Sequence, residues 1–337
     1  MNLLSFPPSV FFSVILTLAV IFVNGLTDAS NAVATCITTG CMSMKSAVVM
    51  SAVLNFAGVF VMTAINPSIT ETISNMVYFG NNENAASVAL CAALFSIVLW
   101  AVFAWYFGIP TSESHALIAS LTGSAIAINS GLDGINGGEW IKAFYGLFTS
   151  CIGGFVLGFI ICKIVITLFR NVKRSKGDLF FKYAQIFAAG AMSFMHGAQD
   201  GQKFIGVLLL CTGAINKTAQ ISPVIILLCS LVMALGTLSG GKRIIKSVGM
   251  DMVKLQKYQG FSADIAAALS LLLSTIFGFP VSTTHAKTTA MMGSGAARSK
   301  RALNPMVIKD IIMTWILTFP GCGVLGYIAT KVFLRIL

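Results

Sequence analysis

Two polar motifs each occur twice in this chain, half a chain length apart. GLTDASN at Gly25–Asn31 is echoed by GAQDGQK at Gly197–Lys203, and GIPTSESHA at Gly108–Ala116 by GFPVSTTHA at Gly278–Ala286. The offset from Asp28 to Asp200 nearly equals that from Pro110 to Pro280. Both copies therefore run in the same order and at nearly the same spacing. Such an echo predicts two structural repeats that share one central site. All four copies lie in or beside apolar runs, where polar residues are costly and usually functional.

The apolar runs set the class. Only 10% of residues are charged, against about 25% in a soluble domain, and the mean hydropathy is +0.88. Apolar stretches of about 20 residues read as helical spans rather than barrel strands. The chain is expected to be an all-α integral membrane protein with about 10–12 membrane segments. Residues 1–24 lack the basic flank of a signal peptide, and their apolar run continues past Asp28, so they read as a retained span. The eight cysteines show no metal-ligand spacing and are expected to be small apolar fillers. No cofactor is expected.

A net charge of +11 would suit a nucleic-acid binder, but its placement argues against one. Basic residues gather in the linkers Arg170–Lys182, Lys242–Lys257 and Arg298–Lys309, while the linkers Asn66–Ala85 and Asn129–Trp140 have none. This is the positive-inside pattern. It places the three basic linkers and Lys45 in the cytoplasm and the N-terminus outside. Fifteen basic residues then lie inside, against Lys142, Lys217, Lys331 and Arg335 outside. The location expected is the plasma membrane, with the lipid bilayer as a partner. A soluble accessory protein could meet the basic face, though no motif specifies one.

Orientation predicts how the repeats relate. The first Asp motif precedes an inside loop and the second an outside one, so the repeats are expected to be inverted. Their bounds are residues 1–170 and 183–337, joined by a basic cytoplasmic linker at 171–182. The runs Pro8–Gly40 and Tyr183–Leu210 exceed one ordinary span, and each is expected to be a helix broken at its Gly-x-x-Asp element. The segments beginning at His115 and His285 are too short to cross fully at the rise of an α-helix. They read as re-entrant hairpins, each entered through a Gly-x-Pro break and a Ser/Thr cap.

Two capped helix N-termini facing one cavity attract anions through unpaired N–H groups and positive dipole ends. Ser112, Ser114, Ser282, Thr283 and Thr284 would add hydroxyl donors. Asp28 and Asp200 fit such a site only if the anion carries a proton or arrives with a cation. Hydrogen phosphate does the first, and Na⁺ or H⁺ supplies the second. Asn31, Thr27 and carbonyls freed by a helix break are hard oxygen ligands suited to Na⁺.

These residues carry a resemblance. GLTDASNAVAT and HGAQDGQKFIG resemble the paired signatures of the inorganic phosphate transporter (PiT) family, and the two Pro-x-Ser-x-x-His segments resemble its paired hairpins. GTLSGGKRIIKSVG and WILTFP are also similar to it. The resemblance spans nearly the whole chain. It implies a secondary active transporter that imports inorganic phosphate by Na⁺ or H⁺ symport, with alternating access around a midplane site, often as a homodimer. The phosphate-binding residues it implies are Asp28, Ser112, Ser114, Asp200, Ser282, Thr283 and Thr284. Asp28, Asn31 and Asp200 fall on the family's signature acids and amides. With their neighbours and the departures below, the residues expected for cation binding or coupling are Thr27, Asp28, Asn31, Glu113, Gln199, Asp200, Gln202 and Lys203, with Na⁺ expected at Asn31, Asp28 and Asp200.

Three positions depart from the paired pattern. Gln199 stands where the signature has Asn, Lys203 stands opposite Asn31, and Glu113 stands opposite Thr283. Lys203 is expected to replace a bound cation, pair with Glu113 or Asp200, or attract phosphate directly, and Glu113 is its favoured partner. A sulfate transporter of the same fold and a passive anion channel are the alternative functions. An enzyme is not expected, because no HExxH, P-loop or nucleophile-elbow pattern occurs.

Overall fold

The apolar runs fold as helices in the computed structural model, which describes residues 8–107, 111–213, 221–239, 255–299, 303 and 305–336. Eleven helices occur among the described residues. They are α1 (Pro8–Thr38), α2 (Met44–Ile65), α3 (Ser68–Ser74), α4 (Glu83–Phe107), α5 (Glu113–Asn129), α6 (Gly137–Leu168), α7 (Arg174–Gly213), α8 (Pro223–Ser239), α9 (Lys257–Ile276), α10 (Thr283–Arg298) and α11 (Pro305–Ile336). Among the described residues, Val77 and Ile135 form an isolated antiparallel bridge. Residues 108–110, the greater part of the second basic linker, Lys217, Lys300 and Arg301 lie outside the described residues.

Stretches of α1, α2, α4, α6, α9 and α11 are long and apolar enough to cross a membrane, and α8 is a shorter apolar helix. The chain is thus an integral, multi-pass, all-helical membrane protein. Outward faces of α4, α6, α8 and α11 carry Phe103, Phe144, Leu231 and Ile316, all exposed, as lipid-facing surfaces require. The linkers at 66–85 and 129–140 meet on one side. Tyr78 N–H donates to the Gly134 carbonyl at 2.8 Å and Asn136 N–H to that of Met76 at 3.0 Å.

The two Asp motifs do not break their helices. α1 runs 31 residues through Gly25 and Asp28, and α7 runs 40 residues through Gly197 and Asp200. The glycines serve close packing instead. A Cβ on Gly25 would strike the Met233 carbonyl of α8, and one on Gly197 would strike the Asn55 carbonyl of α2. Small residues let membrane helices approach backbone to backbone, so no bend is needed. The basic linker also differs from expectation: residues 174–182 form the first turns of α7.

The hairpin helices begin as the Ser/Thr clusters predict. Ser112 caps α5 by accepting from His115 N–H at 3.3 Å, and Ser282 caps α10 by accepting from His285 N–H at 3.2 Å. Gly278 precedes the second hairpin with φ of +69°, a left-handed conformation that suits glycine.

Packing follows one exchange rule. α1 packs on α4 as α7 packs on α9, α4 on α5 as α9 on α10, and α1 on α8 as α7 on α2. Likewise α5 packs on α11 as α10 on α6, and α4 on α11 as α9 on α6. The glycine contacts obey the rule too: Gly58 meets Phe194 and Gly236 meets Phe22.

Candidate functional site

α5 and α10 bring their N-termini together. The Ser112 hydroxyl donates to that of Ser282 at 2.8 Å, and the His115 and His285 rings meet edge to face at 4.3 Å. Each pair joins equivalent positions of the two duplicated hairpins. α1 and α7 cross beside this point. One oxygen each of Asp28 and Asp200 and a ring nitrogen of His196 lie within 4.8 Å of one another, all buried.

Asp200 is the most connected acid. Its carboxylate accepts from Asn24 Nδ2 at 3.0 Å, from Thr283 Oγ1 at 3.2 Å and from Lys203 Nζ at 2.6 Å. His196 presents Nε2 at 3.3 Å from it, while its Nδ1 meets Asn55 Oδ1 at 2.7 Å. The Lys203 ammonium uses all three donors: Asp200, Ser114 Oγ at 2.7 Å, and the Val281 carbonyl. Its side chain is 1% exposed.

Asp28 has Glu113, Asp200 and Lys203 as charged neighbours, with Thr284 against its carboxyl. Thr27 donates to Glu113 Oε1. The favoured pairing of Lys203 with Glu113 is therefore not what the structure holds. Lys203 lies three residues from Asp200 on the same helix face, and Thr27 on α1 takes Glu113. Asn31 is 3% exposed, and neither atom of its side-chain amide has a partner among the described residues.

Two expected coupling residues turn away. Gln199 donates to Thr275 Oγ1 at 3.1 Å and to the Phe279 carbonyl at 3.3 Å, and accepts from Val281 N–H at 3.4 Å. It braces the turn before α10. Gln202 accepts from Ile69 N–H at 3.3 Å and satisfies the start of α3. Successive helix positions point about 100° apart, so neighbours of Asp200 need not share its face. Asn24 and His196, in contrast, join the cluster without being singled out beforehand. The signal was available: they are related by the same offset as Asp28 and Asp200, and each stands immediately upstream of its motif glycine.

Three buried carboxyl groups (Asp28, Glu113, Asp200) thus share one neighbourhood with a buried ammonium. Two helix N-termini and the hydroxyls of Thr27, Ser112, Ser114, Ser282, Thr283 and Thr284 lie beside them. Such a cluster can hold an oxyanion through N–H, hydroxyl and ammonium donors while its acids accept a proton or ligate a cation.

Comparison with known proteins agrees with this chemistry. A model of the Phosphate transporter family matches residues 24–177 and 166–326. A Bacillus subtilis (strain 168) protein named "Probable low-affinity inorganic phosphate transporter" is 36% identical over 94% of this chain and 94% of its own length. A Mycobacterium leprae protein of the same name is 33% identical over 93% of this chain and 75% of its own length. A solved structure titled "The sodium-dependent phosphate transporter" superposes with a TM-score of 0.86, covering 98% of this chain and all of that one at 22% identity. That likeness establishes the shared fold.

Proposed function

This chain belongs to the phosphate transporter family, and we propose that it imports inorganic phosphate together with a cation by alternating access around the buried Asp28–Asp200 cluster. The observation that carries this reading is the meeting of two capped helix N-termini, Ser112 to Ser282, beside three acids and one lysine.

Charge balance supports coupling. With all groups ionised, the acids exceed the lysine by two charges before any anion enters. Buried charges need partners, so phosphate can enter only with protons or cations. In the second half, the Lys203 ammonium already fills a place lined by a carboxylate, a hydroxyl and a carbonyl. Those are the donors a Na⁺ would take. In the first half, the position of Lys203 belongs to Asn31, whose amide has no partner among the described residues. With Asp28 and Thr27 it supplies hard oxygens for Na⁺. Glu113 is the candidate proton carrier.

The halves are read as inverted repeats, 1–170 and 183–337, supported by the exchange rule in packing and by equivalent residues touching at Ser112–Ser282. Phosphate is favoured over sulfate because buried carboxylates can accept a phosphate O–H, which sulfate lacks near neutral pH. The deciding experiment is phosphate uptake into proteoliposomes under imposed Na⁺ or H⁺ gradients. Accumulation above equilibrium with either ion is expected, and arsenate should compete while sulfate should not. Uptake that only equilibrates phosphate, whatever the gradient, would make the protein a channel.

A further inference from the structure

A second buried ion pair lies outside the central cluster. Lys287 on α10 and Asp264 on α9 are both 0% exposed and paired with each other. Lys287 Nζ also donates to Thr35 Oγ1 at 3.1 Å and to the Ala32 carbonyl at 3.2 Å. The Thr35 hydroxyl lies 2.7 and 2.9 Å from the two Asp264 carboxylate oxygens.

The fold does not need this pair. At the corresponding places of the other half, by the offset that relates Ser112 to Ser282, stand Leu94 and Leu117, both fully buried in the apolar core. The counterparts of Thr35 and Ala32, by the offset that relates Asp28 to Asp200, are Val207 and Phe204, also buried there. The same architecture thus holds with four apolar residues. A buried ion pair is commonly no more stable than a well-packed apolar replacement, and charges inside membrane helices mark function.

Its position says which function. Lys287 lies four residues beyond Thr283, which bonds Asp200, so both share a face of α10. Thr35 lies four beyond Asn31 and seven beyond Asp28 on one face of α1. The same polar stripe continues to Thr39, which donates to Gln185 Oε1 at 2.9 Å. It ends at the turn before α2, on the side that the charge distribution assigns to the cytoplasm. On the same face, three residues beyond Asp28 and four before Thr35, stands Asn31, whose amide has no partner among the described residues. In α7 the matching stripe stops at Lys203, and Val207 and Leu208 follow in the core.

We propose that Lys287, with Thr35 and Asn31, forms a second oxyanion station on the cytoplasmic half of the route. Phosphate leaving the central cluster displaces the Asp264 carboxylate from the Lys287 ammonium. The pair re-forms behind the ion and closes the route. This rests on the phosphate reading above, and the test separates the two.

The test installs the apolar pair of the other half, Asp264→Leu with Lys287→Leu, in the full chain. Inorganic phosphate binding in detergent should stay within about threefold of the parent, since the central cluster is untouched, while uptake into proteoliposomes should fall about ten- to a hundredfold, as expected for loss of a charge-assisted contact. Parental uptake would overturn the station, as would loss of binding in step with uptake. A parent that neither binds nor accumulates phosphate would instead overturn the phosphate reading itself. Should the double variant fail to fold, Thr35→Val, which keeps the ion pair, decides. Slower turnover with unchanged phosphate binding supports the station, and unchanged turnover removes it.

Discussion

Lys203 shows how one residue can change the ion requirement of a site. Its ammonium spans Asp200, Ser114 and the Val281 carbonyl, a set that would otherwise suit Na⁺. Lys203→Asn should therefore leave a cation-shaped vacancy beside Asp200. The expected outcome is a steeper Na⁺ dependence of phosphate uptake in proteoliposomes than in the parent. An unchanged Na⁺ activation curve would mean that Lys203 only balances Asp200. Asp28 makes a cleaner target than Asp200, because removing Asp200 strands a buried ammonium at a cost of about 3–5 kcal/mol. Asp28→Asn should keep a folded, monodisperse protein and abolish accumulation, with phosphate affinity reduced roughly ten- to a hundredfold. Near-normal accumulation in that variant would reduce Asp28 to a packing role.

At the scale of elements, the hairpin helices work as a joined pair. Ser112 and Ser282 each cap their own helix and bond each other. Losing an N-cap costs about 1 kcal/mol, but here either truncation also removes the partner's hydrogen bond. Ser112→Ala and Ser282→Ala should each raise the half-saturating phosphate concentration, and the double variant should cost less than the sum of the two. Additive effects in uptake assays would show that the two N-termini act separately. The long helices carry a different element-scale lesson. Gly25 and Gly197 lie where backbones of neighbouring helices nearly touch. Gly25→Ala should force α1 from α8 and lower the thermal midpoint, with overpacking costing about 1–3 kcal/mol. A midpoint equal to that of the parent would mean the α1–α8 contact relaxes freely.

For the whole molecule, the charge distribution and the matched packing make one joint claim about orientation. Asp133 lies in the linker without basic residues and Lys173 in the basic one, and both are exposed. Seven of the eight native cysteines are buried, so added thiols should report with little background. Asp133→Cys should react with a membrane-impermeant maleimide in intact cells, and Lys173→Cys only after the membrane is opened. The reverse pattern would invert the molecule and place the Lys287 station on the outer half.

What the sequence determined by itself was local or repeated. Apolar length made the chain a helical membrane protein, and Ser/Thr clusters placed the starts of α5 and α10. Duplication singled out Asp28, Asp200 and the hydroxyls that the structure brings together, because paired polar residues in apolar runs need only counting to be seen. Tertiary structure decided whatever depends on a partner distant in the chain. It turned the motif glycines from breaks into contacts, because α8 and α2 press against them. It gave Lys203 to Asp200 and Glu113 to Thr27, and it set Gln199 and Gln202 to bracing neighbouring turns. It also paired Lys287 with Asp264, residues that carry no motif and have leucines as their counterparts in the other half. Helical periodicity says which residues share a face, but hydrogen bonds and ion pairs form over about 3 Å. Only the packing of one helix on another brings such groups within that range.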